Sequence, residues 1–266
     1  MPIGLAMDEA RRRAYLDALG IPVWVPRAGG AAVDLEPAPS EAERTEPRSG
    51  QRPLGGAAFR PTSAPGGAVA GIEADARADV ATLDWPELRA RVAACTACEL
   101  HAARTQTVFG VGSQQARLMI IGEAPGVEED RQGEPFVGRA GQLLNAMLRA
   151  IGLDRGDVYI ANVLKCRPPG NRTPSLEEAV ACDGFLRRQI ALVAPRLILS
   201  VGGISARNLL GSDAPVGKLR GTVHRAGADR VPCLVTYHPA YLLRQPEEKA
   251  KAWQDLQLVA RLLREP

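Results

Sequence analysis

Four side chains have the types and spacing to act together on one small ligand. Glu123 lies in the turn Ile121-Gly122-Glu123-Ala124-Pro125-Gly126, directly after the apolar run Arg117–Ile121. Phe136 follows in Pro135-Phe136-Val137-Gly138-Arg139-Ala140-Gly141. Asn162 sits near the end of the apolar run Val158–Val163, and His238 follows the run Cys233–Tyr237. An acid, an amide, an imidazole and an aromatic face suit a neutral, flat ligand with hydrogen-bonding edges, and a nucleobase is such a ligand. The ring offers stacking worth roughly 1–3 kcal/mol per base. The amide offers one donor and one acceptor side by side. A phosphate-cradling loop is the competing reading of the Gly/Pro turn. It has neither the G-x-x-x-x-G-K-[ST] nor the G-x-G-x-x-G order, and its carboxylate would repel a bound phosphate.

The cysteines carry a second possible chemistry. Cys95 and Cys98 form a C-x2-C pair, Cys166 lies in Leu164-Lys165-Cys166-Arg167-Pro168-Pro169, and Cys182 is separated from Cys166 by fifteen residues. Cys233 falls within an apolar run and reads as a small core residue. Structural zinc favours two close pairs, whereas an iron–sulfur cluster tolerates wider spacing. A cluster, a zinc site and four unligated thiols are all compatible with the spacing. Paired disulfides do not suit a cytoplasmic chain. Lys165, Arg167 and Arg172 crowd the loop after Leu164, which reads either as a contact for a nucleic-acid backbone or as an ordinary surface loop.

These residues need elements to position them. Four β-prone runs, at 117–121, 158–163, 196–201 and 233–237, alternate with helical stretches at 140–152, 175–193 and 204–211. A last amphipathic helix places Trp253, Leu256, Val259 and Leu263 along one side. Continuous apolar strands alternating with helices argue for an α/β fold with a parallel sheet covered on both faces. Glu123, Asn162, Gly202-Gly203 and His238 all lie at the carboxyl ends of strands, and that edge of such a sheet is where ligands bind. Asp84 is suited to the N-cap of the first helix of this domain, with Pro86 in its first turn.

The totals set the frame. The chain has 266 residues, 45% hydrophobic and only 4% aromatic, with a net charge of +3 that weakly favours a polyanionic partner. No run approaches the about 18 apolar residues of a membrane span, and the N-terminus lacks the order of a signal peptide. A cytoplasmic, membrane-free protein is expected. Residues 1–27 read as a short helix and an apolar segment, a candidate docking peptide for an unknown protein. Ala, Gly and Pro make up more than half of residues 28–71, so residues 28–82 are expected to form a disordered linker. Residues 83–266 form the expected catalytic domain.

Three segments carry a family resemblance: Gly122–Leu144, Val158–Pro174 and Tyr237–Arg244, together with the four cysteines. They resemble the family 4 uracil-DNA glycosylases, over about residues 85–266. The resemblance implies a three-layer α/β/α sandwich with a four-stranded parallel sheet. It implies a [4Fe-4S] cluster on Cys95, Cys98, Cys166 and Cys182. It further implies excision of uracil from double- or single-stranded DNA, probed one nucleotide at a time by base flipping, in a monomer.

In that family pattern Phe136 stacks on the uracil over Gly122, the Asn162 amide reads N3–H and O4, and His238 donates to O2. Glu123 positions the water, since Ala124 fills the slot where related glycosylases carry an Asp. Glu129 lies near uracil C5. Leu242 matches the residue that fills the gap left by the flipped base, although by residue type Leu242 and Leu243 read as core. Arg244, Lys165, Arg167 and Arg172 are expected at the DNA backbone. Two alternatives remain. One is a sensor or covalent variant, opposed by the absence of any His between Cys166 and Cys182. The other is a zinc-stabilised binding module without catalysis.

Overall fold

The computed structural model describes residues 80–265. The expected N-terminal helix and most of the expected linker lie outside the described residues. Residues 80–82, assigned above to the linker, belong to the folded unit. Val80 is buried beside Leu88 and Phe185, and Arg188 donates to the carbonyls of Thr82 and Leu83.

Helix α1 (Trp85–Ala93) starts as its sequence requires. The Asp84 carboxylate accepts from the Glu87 N–H at 2.9 Å, and the Glu87 carboxylate accepts from the Asp84 N–H at 2.9 Å. This reciprocal box satisfies two otherwise orphaned donors. The four apolar runs become β2 (Leu118–Gly122), β3 (Tyr159–Asn162), β4 (Leu197–Val201) and β6 (Val231–Thr236), all parallel. Two short antiparallel strands, β1 (Val111–Gly112) and β5 (Val223–Ala226), close the edges in the order β1-β3-β2-β4-β6-β5. The expected four-stranded parallel sheet is therefore the centre of a six-stranded mixed one. The edge strands escaped notice for a physical reason. Two residues show no periodicity, and β5 is largely exposed, so neither carries an apolar run.

Every residue of β2 and β4 is buried, as strands covered on both faces must be. Leu118, Ile120, Leu197, Leu199 and Leu234 face one layer, formed by α3 (Arg139–Ala150), α7 (Pro239–Arg244) and α8 (Lys249–Arg264). Met119, Ile121, Ala161, Ile198 and Cys233 face the other, against α4 (Leu176–Val193) and α5 (Gly203–Leu210). Leu256 and Val259 of α8 are buried, with Trp253 and Leu263 packed beside them, the stripe expected from the sequence. The acids 128–130 open the short helix α2 (Val127–Gln132). A further single turn, α6, spans Val216–Leu219. No helix among the described residues is long and apolar enough to cross a membrane.

The chain moves from β2 to β3 on one side and then crosses to β4 on the other. The strand order thus switches beside β2, and the ends of β2, β3, β4 and β6 open onto the same edge. That is where an open parallel sheet forms a crevice.

Candidate active site

The floor of the crevice is a three-way contact that depends on a missing side chain. Gly122 ends β2 opposite Asn162 in the ladder. A Cβ on Gly122 would stand 2.4 Å from Asn162 Oδ1 and 2.6 Å from Phe136 Cζ. Only glycine lets the amide and the ring meet here. Beyond the ladder, Val163 N–H donates to the Gly122 carbonyl and Leu164 N–H to that of Glu123, both at 3.0 Å. The acidic turn therefore stays registered to the chain leaving β3. Glu123 is half-buried, and desolvation pushes its carboxyl above the usual carboxylate range.

Phe136 is buried with φ of 55°, the left-handed region. A non-glycine residue there costs of order 1–3 kcal/mol and persists only when its surroundings enforce it. Three contacts do so. Arg155 donates to the carbonyls of Pro135 and Phe136. The Glu129 carboxylate accepts from the N–H groups of Gly126, Val137 and Gly138 at 3.0–3.1 Å. Gly141 admits the loop, because a Cβ there would lie 1.8 Å from the Phe136 carbonyl oxygen. Glu129 thus staples the turn after β2 to the ring-bearing loop. Its oxygens are committed to main chain.

Asn162 is 2% exposed, and its Oδ1 is buried without any hydrogen-bond partner. A buried, unsatisfied amide oxygen is costly, about 1–3 kcal/mol, unless a ligand donates to it. His238 faces this pocket from the start of α7, its ring 5.6 Å from that of Phe136. Its Nδ1 accepts from the Ala240 N–H at 3.1 Å, which leaves the imidazole proton on Nε2. Burial, with Arg244 nearby and Glu129 opposing, lowers its pKa to about 4. At neutral pH it is an uncharged donor. The pocket therefore presents an acceptor, a donor, an aromatic face and an acid at one sheet edge.

Several expected backbone contacts are placed otherwise. Lys165 is only 1% exposed, and its Nζ donates to the Asn162 carbonyl at 2.7 Å and Gln189 Oε1 at 2.6 Å. It lies in the interior and cannot reach a phosphate. Burial lowers its pKa to about 8. Arg172 is exposed but forked onto the Glu178 carboxylate, which caps α4 through the Ser175 N–H. Its charge is already paired. Arg167 donates Nε to Asn171 Oδ1 at 2.7 Å and stays on the surface loop. Leu242 is fully buried in the core, whereas its neighbour Leu243 is 37% exposed. The α7 turn points the first inward and the second outward. Arg244, in the last turn of α7, is exposed.

Cys95, Cys98, Cys166 and Cys182 line one cavity with Arg104 and Lys165. They come from the end of α1, the turn before Glu99–Ala102, the loop after β3 and the middle of α4. Burial pushes the Cys98, Cys166 and Cys182 thiols up, Cys182 to about 12. Two donors oppose this by serving the sulfurs: Arg104 Nη1 to Cys166 at 3.1 Å and Lys165 N–H to Cys182 at 3.3 Å. No three His, Cys, Asp or Glu side chains among the described residues are placed to hold a single metal ion. Metal–sulfur bonds of about 2.3 Å would hold zinc ligands within about 4 Å of each other. Four thiols lining one cavity are a donor set that suits a thiolate-held group.

Arg104, Arg155 and Gln189 were not foreseen. Each is a long polar residue whose role depends on which main-chain carbonyl or sulfur the fold brings beside it, and no local pattern marks that.

Residues 109–257 match the family model of the uracil DNA glycosylase superfamily. The chain is 47% identical over 156 residues to a type-4 uracil-DNA glycosylase of Thermotoga maritima, covering 58% of this chain and 80% of that protein. It is 43% identical over 180 residues to a protein of the same name from Pyrobaculum aerophilum, covering 65% and 92%. A third, from Archaeoglobus fulgidus, is 40% identical over 177 residues, covering 64% and 89%.

Proposed function

The chain belongs to the type-4 uracil-DNA glycosylases of the uracil-DNA glycosylase superfamily, and on that premise we propose how its residues release uracil from DNA. The observation that carries the reading is the unpartnered Asn162 Oδ1 on the floor made by Gly122 and Phe136. Uracil offers N3–H to that oxygen and O4 to the amide N–H. Cytosine presents an acceptor at N3 and a donor at N4, so it leaves both amide groups mismatched. A site built around buried hydrogen bonds discriminates strongly against a ligand that cannot make them.

The target nucleotide is extruded from the stack at a cost of a few kcal/mol, and the base lies against Phe136. As the C1′–N1 bond breaks, its electron pair passes to the base. His238 Nε2–H donates to O2, where negative charge accumulates. A neutral donor aimed at developing charge is effective in a dry site. Glu123 orients water toward C1′ of the sugar cation. Water supplies the hydroxyl of the abasic sugar, and its proton balances the released uracil. Glu129 holds the pocket wall beside C5, in position to crowd a thymine methyl. Leu243, exposed on α7, takes the gap-filling role in place of Leu242, with Arg244 at a phosphate.

We further assign Cys95, Cys98, Cys166 and Cys182 to a [4Fe-4S] cluster. When bound, it supplies a covalent tie among α1, the loop after β3 and α4. The four converging thiols, two of them accepting hydrogen bonds, support this assignment.

The test is release of free uracil, with an alkali-labile site, from a duplex containing one U·G pair. Asn162→Ala and His238→Ala should each slow release by orders of magnitude while the melting temperature holds. Intact DNA after incubation with iron-loaded protein would overturn the assignment.

A further inference from the structure

We infer that Lys165 is a positioning residue for Asn162, linking the cysteine-lined centre to the reading of the base. The inference rests on the glycosylase reading above. A lysine in a basic loop would ordinarily serve the DNA backbone, but this one is turned inward. Its Nζ donates to the Asn162 main-chain carbonyl at 2.7 Å, three residues back, and so closes the turn by which the chain leaves β3. Its second acceptor, Gln189 Oε1 at 2.6 Å, is itself fixed. Gln189 is wholly buried on α4, and its Nε2 donates to the Phe109 carbonyl at 2.8 Å and the Tyr159 hydroxyl at 3.2 Å.

The main chain of Lys165 is fastened as firmly. Its N–H donates to Cys182 Sγ at 3.3 Å, its carbonyl accepts from Val108 N–H at 2.8 Å, and its next neighbour is Cys166. One residue therefore grips the backbone of the base-reading amide with its side chain, while its own backbone sits between two cysteines. Asn162 is in the last ladder pair of β3, opposite Gly122, and beyond it the Val163 and Leu164 N–H groups bond the turn after β2, so the Lys165 amine adds a side-chain tie to the Asn162 carbonyl itself. The amine supplies donors to both acceptors in either protonation state. Without it, two buried oxygens lose their donor, and the turn must reopen to satisfy them. A reacting group displaced by about 1 Å can lose roughly 100-fold in rate.

The experiment is a double-mutant cycle on the full chain, purified with its iron: wild type, Lys165→Met, Asn162→Ala and the double variant. Single-turnover uracil release from a U·G duplex is measured, with iron content and affinity for a duplex carrying an abasic analogue. Lys165→Met should slow release about 10–100-fold and leave iron content and abasic-DNA affinity within twofold. In the Asn162→Ala background it should cost less than threefold more, because it acts through Asn162. Lys165→Gln, which keeps one donor for the carbonyl, should recover part of the rate. It also serves as the test variant if Lys165→Met does not fold. Additive losses, loss of iron in step with rate, or unchanged release overturns the role of Lys165 alone. No uracil release by wild type overturns the glycosylase reading and this role with it.

Discussion

Replacing Gly122 by alanine adds one methyl group at the point where the pocket has no room. That Cβ would sit 2.4 Å from Asn162 Oδ1 and 2.6 and 2.8 Å from Phe136 Cζ and Cε2, where ordinary contact begins near 3.4 Å. The amide must retreat by about 1 Å and the ring by slightly less. Neither has slack. Asn162 is backed by the Lys165 ammonium. Phe136 is pinned by Arg155 and by its own left-handed backbone, with the His238 ring behind it. Overpacking of this kind costs about 1–3 kcal/mol of stability, and a misplacement near 1 Å costs of order 100-fold in rate, about 2.7 kcal/mol of barrier. The assay is single-turnover release of uracil from a U·G duplex, with thermal unfolding of the same preparations. Gly156→Ala is the control, because a Cβ there meets nothing within 4 Å. Release by Gly122→Ala within threefold of wild type would refute the reasoning that the three residues form one rigid floor.

Other consequences can be measured in parallel. Leu242→Ala should lower stability by about 2–5 kcal/mol by opening a core cavity. Leu243→Ala should change stability by less than about 0.5 kcal/mol, yet slow release from duplex more than from single-stranded DNA. Equal losses on both substrates would argue against the gap-filling role. The His238 pKa is lowered to about 4, so the folded chain stays neutral there while an unfolded chain protonates from about 6.5. Its contribution to stability is therefore complete above about 6.5 and is lost as pH falls toward 4. Uracil release should show no limb near pH 6.5 that arises from His238. The acid limb should instead follow Glu123, whose carboxyl is raised, and Glu123→Gln should remove it. A limb near 6.5 that vanishes in His238→Gln would contradict a neutral imidazole. Cys182→Ser should abolish absorbance near 400 nm and bound iron, and lower the melting temperature. Unchanged iron content would exclude Cys182 as a ligand.

The backbone architecture was written into hydropathy. Runs such as Leu118–Ile121 and Leu197–Val201 are apolar on both faces, and such strands require cover on both sides. The helices before and between them carry their own start signals, as Asp84 and Ser175 show. Glu123, Asn162 and His238 were legible as a set because each lies at the carboxyl end of a strand, and parallel strands deliver those ends to one edge. The type of each residue then named the ligand chemistry. Side-chain direction was not legible. Leu242 and Leu243 are identical in type and adjacent, and only the helix turn buries one and exposes the other. Lys165 reads as a surface cation until Asn162 and Gln189 supply acceptors deep enough to offset its desolvation. The Glu129 carboxylate reads as a solvated acid until the fold brings three N–H groups to it. Hydropathy and residue type are local properties of the chain, so they fix elements and chemistry. The partner of a long polar side chain comes from distant segments, and it exists only once the sheet and its loops have closed.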